Sequence, residues 1–494
     1  MLSRSYPAPP RTTPQTTPHY PATRPYSPLE IQVTMTRFIP AALLPAIVLV
    51  LIVGPSFAAG PLSVSADDRA LIGPRGHSVF LQGATPWHIL ARLDRAESVD
   101  YLEARQAQGF NALLLSILVN DDFSSGSFDN AFGDPPFDIP NDFSTPNEAY
   151  FAHVDWFLEQ ARQRGFHLLL APAYIGWGCQ VEGFCQAMQQ NGVDKMRDYG
   201  RFLGERYGNF ENIIWIDGGD ADAAAHGALD VVEAVAEGIL ETSPDQLHTA
   251  HCDRFNSAAD CYDRPWLDLN NTYADCNVTP QELRADYERN TRRPFVFLEG
   301  FYEGEHETSA TCLRSQAYWS LLGGAVGHFF GNKPMWDFLD GWRGALDSEG
   351  ANSMREFRGL LHSRDWSRFM PDWSHEVLTA GFGSPDDGSY AAAARTENGQ
   401  SIVIYTPEQR ALTVDMSKVA GQEAIAWWFN PGNGAATFIQ TLSTAGSHEF
   451  TPPHAGDWVL ILDNANADLP TPGQGVATGA GTSGGLKSRY GGGR

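Results

Sequence analysis

The chain has 494 residues, and its 59 Asp and Glu outnumber its 34 Lys and Arg to give a formal charge of −25. A balance this acidic excludes nucleic acid and anionic membrane as partners, because both are bound through basic patches. The length holds a large domain and a smaller one with ample core, while an aromatic content of 12% suits sugar-stacking platforms and buried packing equally well.

In chain order, the first signal is the apolar run at residues 41–53, too short for a comfortable membrane span and ending in small residues. Ser56 and Ala58 then occupy the −3 and −1 positions of a cleavage site. The run reads as a signal peptide cut near Ala58, with translation starting at Met35 because residues 1–34 make an overlong leader. The expected location is therefore extracellular or periplasmic, with no membrane attachment after cleavage. Six cysteines, Cys179, Cys185, Cys252, Cys261, Cys276 and Cys312, suit an exported chain. Sequence leaves their pairing open; pairing of sequence neighbours is the simplest scheme. The absence of a Cys-x2-Cys spacing argues against zinc.

Residues 62–76 read as an entry hairpin and 77–82 as a first strand. Asp94 caps a helix over 98–108, and 111–116 is a second strand followed by a long loop, 120–147, of the kind that usually carries function. A helix runs to Arg164, then a third strand at 167–172, then a helix capped by Asn191 or Asp194. The fourth strand is Ile213-Ile214-Trp215-Ile216, ending in Asp217-Gly218-Gly219-Asp220. Four apolar residues in a row mark a strand buried on both faces. Helix 226–241, strands 247–251 and 267–273, and a helix from Thr279-Pro280 follow. The seventh strand is Phe295-Val296-Phe297-Leu298-Glu299, and helix 309–322 and strand 325–330 complete the series. This alternation predicts a (β/α)8 TIM barrel over residues 60–371, after an upstream extension and signal peptide at 1–59. Residues 372–463 are short strands separated by Gly, Pro, Asn and Asp turns, an antiparallel β-sandwich. Residues 464–494, rich in Gly and Ser, read as a disordered tail.

Catalytic groups of such barrels sit at or just past the carboxyl ends of strands. Asp220 and Glu299 occupy such places, and paired carboxyls are what glycosidic cleavage needs. Asp220 is expected to be the acid/base and Glu299 the nucleophile of a retaining reaction. Asp217 is the local rival, on the strand face of Trp215 that would point into the barrel, where a structural ion pair would account for it. Glu303, Glu305 and Glu307 rival Glu299 from a polar loop. Trp87, His88, Tyr174, Trp177, Tyr302 and Trp336 fall near strand ends as substrate-binding candidates. Tyr273 is expected to hydrogen-bond the nucleophile, and His251 and Asn271 to form polar wall. The pair His306-Glu307 lacks the second His of a zinc protease, since position 310 is Ala. No metal and no cofactor is expected.

The chain resembles the apiosidase-like glycoside hydrolases, whose C-terminal domain is labelled for collagen binding. The matching stretches include Asp142-Phe143-Ser144-Thr145-Pro146-Asn147-Glu148, Ile214 to Asp220, His248-Thr249-Ala250-His251, Leu298-Glu299 and, in the sandwich, Gly456-Asp457-Trp458. The resemblance implies a barrel glycosidase with its paired acids at Asp220 and Glu299. Two positions depart from it: Ala84, where the family often carries an acid, and Asp217, where it is usually apolar. The function expected is a secreted, monomeric glycoside hydrolase acting on plant or microbial polysaccharide. The alternative is a non-catalytic carbohydrate- or matrix-binding protein using the same cleft.

Overall fold

The computed structural model describes residues 59–120, 129–180 and 182–474. The expected signal peptide, part of the long loop after the second strand, and residues 475–494 lie outside them. Eight strands make the central sheet: β1 (Leu81–Ala84), β2 (Ala112–Ser116), β3 (His167–Ala171), β4 (Ile213–Gly218), β5 (Leu247–His251), β6 (Asn270–Tyr273), β7 (Phe295–Glu299) and β8 (Gly327–Phe330). All neighbouring pairs are parallel, in the order β5-β4-β3-β2-β1-β8-β7-β6. Strands β5 and β6 end this ladder and are joined mainly through side chains. The Leu269 N–H donates to the His248 carbonyl (3.1 Å), and Asn271 Nδ2 donates to the Ala250 carbonyl and to Thr249 Oγ1. Asn271 thus bridges the two strands with its side chain, while Asn270 and Thr272 on either side of it donate to Asp286 (2.8 and 2.6 Å).

Side chains alternate across each strand. Leu81, Leu114, Leu169, Ile214, Ile216, Val296 and Leu298 cluster almost entirely with one another, which places them inside the barrel. Leu113, Leu168, Trp215, Phe295 and Phe297 belong to the cluster shared with the helices. Asp94 caps helix Arg95–Ala107 through a reciprocal bond with Glu97. The strand expected at 77–82 is two elements. Ser78–Val79 joins a small antiparallel sheet with Ser63–Val64 and Leu71–Ile72, and the barrel begins at Leu81. Phe80, between them, packs on Phe357 and Trp366 where the chain changes sheet. The span Cys185–Tyr207 is two helices that meet at Gly192, whose φ 76° and ψ 170° are not helical, so the helix expected to start at Asn191 or Asp194 is present and a further short one precedes it. The start of the short one has no side-chain cap to show in sequence; the Cys179–Cys185 bridge and the Phe184 N–H, donated to Tyr174 O (2.8 Å), fix it. Sequence neighbours pair throughout, Cys179–Cys185, Cys252–Cys261 and Cys276–Cys312, with Cα atoms 5.3, 6.2 and 5.9 Å apart. Among the described residues no helix is long and apolar enough to cross a membrane.

The C-terminal region has a six-stranded antiparallel sheet and a three-stranded one. Ile402, Ile404, Leu460 and Leu462 face the smaller sheet, while Val403, Tyr405, Val459 and Ile461 pack into the helix-side core of the barrel. Tyr405 stacks on Tyr318 (4.8 Å) and bonds Ser315 (2.8 Å). Two buried ion pairs cross the same seam: Arg314 bidentate to Asp457 (2.7 and 2.8 Å) and Arg364 to Asp463 (2.8 and 2.5 Å). Residues 465–474, expected to begin the tail, stay attached, with Pro470 O accepting from Arg364 Nη1 (3.0 Å). Asp457→Ala strands a buried guanidinium, so it is expected to lower stability by about 3–5 kcal/mol in urea unfolding. KM is expected to stay unchanged. A loss below about 1 kcal/mol would show that this seam is not energetically coupled.

Candidate active site

Strand β4 hands the chain to Asp220 through Gly218, which sits at φ 85°. A Cβ at Gly218 would meet Tyr262 Oη at 2.5 Å and the His251 carbonyl at 2.7 Å, so only glycine fits. The turn is fixed by three backbone bonds: Ile175 N–H to Gly218 O (3.0 Å), Gly219 N–H to His251 O (3.1 Å) and Gly178 N–H to Asp220 O (2.9 Å). The acid is thereby tied to the loops after β3 and β5.

On β7, Phe295 and Phe297 face the helices, and strict alternation would send Glu299 the same way. The register against β6 shifts between Phe297 and Glu299. This irregularity turns the carboxyl into the mouth of the barrel, where 16% of the side chain stays accessible.

Asp220 and Glu299 line one cavity of about 230 Å³ at the carboxyl ends of the strands, with Trp87, His88, Tyr174, Tyr273, Tyr302 and Trp336 around them. His251 Nδ1 donates to the Cys252 carbonyl (2.7 Å), and Nε2 lies 2.7 Å from Glu299 Oε2. Since a carbonyl only accepts, Nδ1 carries a proton. The Nε2–Glu299 bond needs another. Burial opposes a charge on His251, but Glu299 and Asp220 outweigh it and raise its pKa. The protonated imidazole is thereby favoured in the contact with Glu299. Asp220 is pushed up to about 6, first by burial and then by the Glu299 charge, against the pull of His251 and Arg254. The two carboxyls of the cavity thus sit in different surroundings: Asp220 is inclined to hold a proton, and Glu299 is bonded to the imidazole of His251.

Of the residues singled out in sequence, Trp87, His88, Tyr174, Tyr273, Tyr302 and Trp336 line the cavity. Trp87 Nε1 donates to Tyr302 Oη (3.0 Å), and the Trp87, Tyr174 and Tyr273 rings surround His251. Tyr273 Oη donates to Asp220 Oδ2 (3.3 Å); the bond to Glu299 is made by His251. Trp177 is 58% exposed and outside the lining residues. Asn271 is buried in the β5–β6 junction, outside the lining. Asp217 shares a face with Trp215 as expected, but that face looks outward, where Asp217 bonds His248 Nδ1 (2.9 Å) within the core. Glu303 accepts from Ser348 Oγ (2.6 Å) and Gly350 N–H (2.8 Å) at the start of helix Glu349–His362, while Glu305 and His306 reach the cavity. Glu182 and Arg254 also line it, from loops after β3 and β5 that no apolar strand announces in sequence. Cys252, Asp253 and Cys261 lie close enough to hold a metal, but both sulfurs are bonded to each other.

Two carboxyls in one cavity at the carboxyl-terminal mouth of a (β/α)8 barrel are what glycosidic cleavage requires. The family profile described as "Apiosidase-like, catalytic domain" matches residues 65–368, more than half of the chain. The chain belongs to the apiosidase-like family. A second profile, "Putative collagen-binding domain of a collagenase", matches residues 379–463. No curated protein matches the chain. Among solved structures, a glycoside hydrolase is 24% identical over 83% of this chain and 98% of its own, with a TM-score of 0.72. A family 5 glycoside hydrolase from Bacteroides vulgatus is also 24% identical, over 83% of this chain and 94% of its own, with a TM-score of 0.73. Both share the fold.

Proposed function

We propose that the chain is a secreted, monomeric, retaining glycoside hydrolase that removes a terminal sugar from plant or microbial polysaccharide. Asp220 is its acid/base and Glu299 its nucleophile. The observation that supports this reading is the pairing in one cavity of Glu299, bonded to His251 Nε2, with Asp220, which keeps a proton to about pH 6. In the first step a Glu299 oxygen attacks the anomeric carbon as the Asp220 proton passes to the departing glycosidic oxygen. In the second, Asp220 takes a proton from water, whose oxygen displaces Glu299 from the anomeric carbon.

The cavity of about 230 Å³ is smaller than the roughly 300–1,000 Å³ of sites for larger ligands. One sugar ring fits it, with Trp87, Tyr174 and Trp336 as apolar walls and His88, Tyr273 and Tyr302 as polar ones. Trp177, exposed and followed by Gly178, whose N–H bonds the Asp220 carbonyl, is a platform for the sugar that leaves. Both carboxyls come from one chain, so no second copy is needed. Three disulfides and the apolar run before Ala58 favour export. The sandwich acts as a packing module, since one face of its larger sheet is spent on the barrel.

Proton NMR of hydrolysis of a panel of 4-nitrophenyl pentosides and hexosides tests the reading. The first anomer released is expected to keep the configuration of the substrate. Release of the opposite anomer would contradict the assignment of Glu299 as nucleophile.

A further inference from the structure

We propose that Glu182 accepts a hydrogen bond from a hydroxyl of the terminal sugar and thereby decides which sugar the cavity admits. The inference rests on the glycosidase reading above. The two-step mechanism uses two carboxyls, yet Glu182 is a further one lining the same cavity. It sits inside the loop closed by Cys179–Cys185.

That loop is held on several sides. Gly176 lies so close to the Glu182 backbone that a Cβ there would sit 1.5 Å from the Glu182 carbonyl oxygen. The Gly183 carbonyl accepts from Asn120 Nδ2 (2.6 Å), and Gly178 N–H donates to the Asp220 carbonyl (2.9 Å). The placement of Glu182 is therefore preorganised relative to the acid/base. Its Oε1 accepts the Trp177 N–H (2.8 Å), and no hydrogen bond to Oε2 is present among the described residues. A half-buried carboxylate oxygen facing a cavity calls for a donor. Burial raises the Glu182 pKa and Glu299 adds to it, whereas His88 and the Trp177 N–H favour the ionised form. His88 itself is steadied by Asp337, which accepts from its Nδ1 (2.8 Å) and from Arg92 Nε (2.9 Å).

The donor that a neutral glycoside offers is the hydroxyl group. A site built to bond a hydroxyl rejects an analogue that lacks or misplaces it more strongly than an apolar wall does, because a carboxylate partly withdrawn from water then loses its partner. Glu182 is thus a specificity residue, separate from the reacting pair.

The test uses Glu182→Gln and Glu182→Ala in the full chain, with the same 4-nitrophenyl panel and the released monosaccharide as competitive inhibitor. On the glycoside that the unaltered enzyme prefers, Glu182→Ala is expected to lower kcat/KM about 10- to 100-fold and to weaken inhibition by the monosaccharide. The ratio between that glycoside and its epimers is expected to shrink. Glu182→Gln keeps an oxygen for the Trp177 N–H, so it preserves the loop; its preference is expected to fall in the same direction. If Glu182→Ala does not fold, the Gln variant decides. An unchanged order of preference and unchanged inhibition in Glu182→Gln would overturn the inference while leaving Asp220 and Glu299 in place. A panel on which the unaltered enzyme hydrolyses nothing would overturn both.

Discussion

Glu299→Gln is expected to lower kcat on the order of 10⁴- to 10⁶-fold while leaving the fold intact. The amide matches the carboxylate in shape and can still meet His251, so the irregularity that presents position 299 is undisturbed. It cannot supply the oxygen anion that bonds the anomeric carbon. Burst and steady-state kinetics on the preferred 4-nitrophenyl glycoside, with a thermal melt, check both halves. Activity within about tenfold of the unaltered enzyme, a barrier change of about 1.4 kcal/mol, would move the nucleophile elsewhere, with Glu305 and Glu182 the carboxyls next in reach.

The second large effect belongs to Asp220→Asn. General acid catalysis of this kind contributes about 10²- to 10⁴-fold, so kcat/KM is expected to fall by that much for a leaving group that needs protonation. A 2,4-dinitrophenyl leaving group departs unaided, and its first step should be slowed far less. Because Asp220 holds its proton to about pH 6, activity of the unaltered enzyme is expected to decline above that pH; the variant should lose this limb. Stability carries the same signature. A carboxyl at about 6 rather than 3.8 binds more protons folded than unfolded, so it weakens the fold as pH rises from about 4 through 6. The full cost above pH 6 is about 3 kcal/mol. Asn never ionises, so the variant is expected to melt higher than the parent at pH 8 and to lose that advantage near pH 4. An equal melting difference at both values would contradict the raised pKa.

These expectations rest on features of unequal visibility in the sequence. Ile213 to Ile216 and Phe295 to Leu298 are continuous apolar runs, and such runs announce both a parallel strand and the carboxyl at its end. The short spacings Cys179–Cys185 and Cys252–Cys261, 6 and 9 residues, make neighbour pairing the simplest scheme and leave Cys276 to Cys312. Alternation alone, however, misplaces Glu299, because the register shift beside Tyr273 depends on the partner strand. It also puts Asp217 on the face of Trp215, which is expected to point into the barrel but looks outward, where His248 on β5 meets it. Glu182 and Arg254 come from loops whose paths are set by disulfides and backbone bonds between distant segments, so local pattern carries no trace of them. The short helix from Cys185 to the break at Gly192 is hidden likewise, since a disulfide does the work of a cap. The two faces of the larger C-terminal sheet, both apolar, signalled a sandwich without showing that one of them meets the barrel.

The division of labour between the two acids is tested most directly by mass spectrometry of Asp220→Asn. The variant is mixed with a 2,4-dinitrophenyl glycoside and quenched in acid. Loss of the base slows the second step more than the first, so the protein should gain the mass of one glycosyl residue, located by peptide mapping on the segment containing Glu299. A protein that turns the substrate over yet never carries the sugar, or carries it on another carboxyl, would contradict the account.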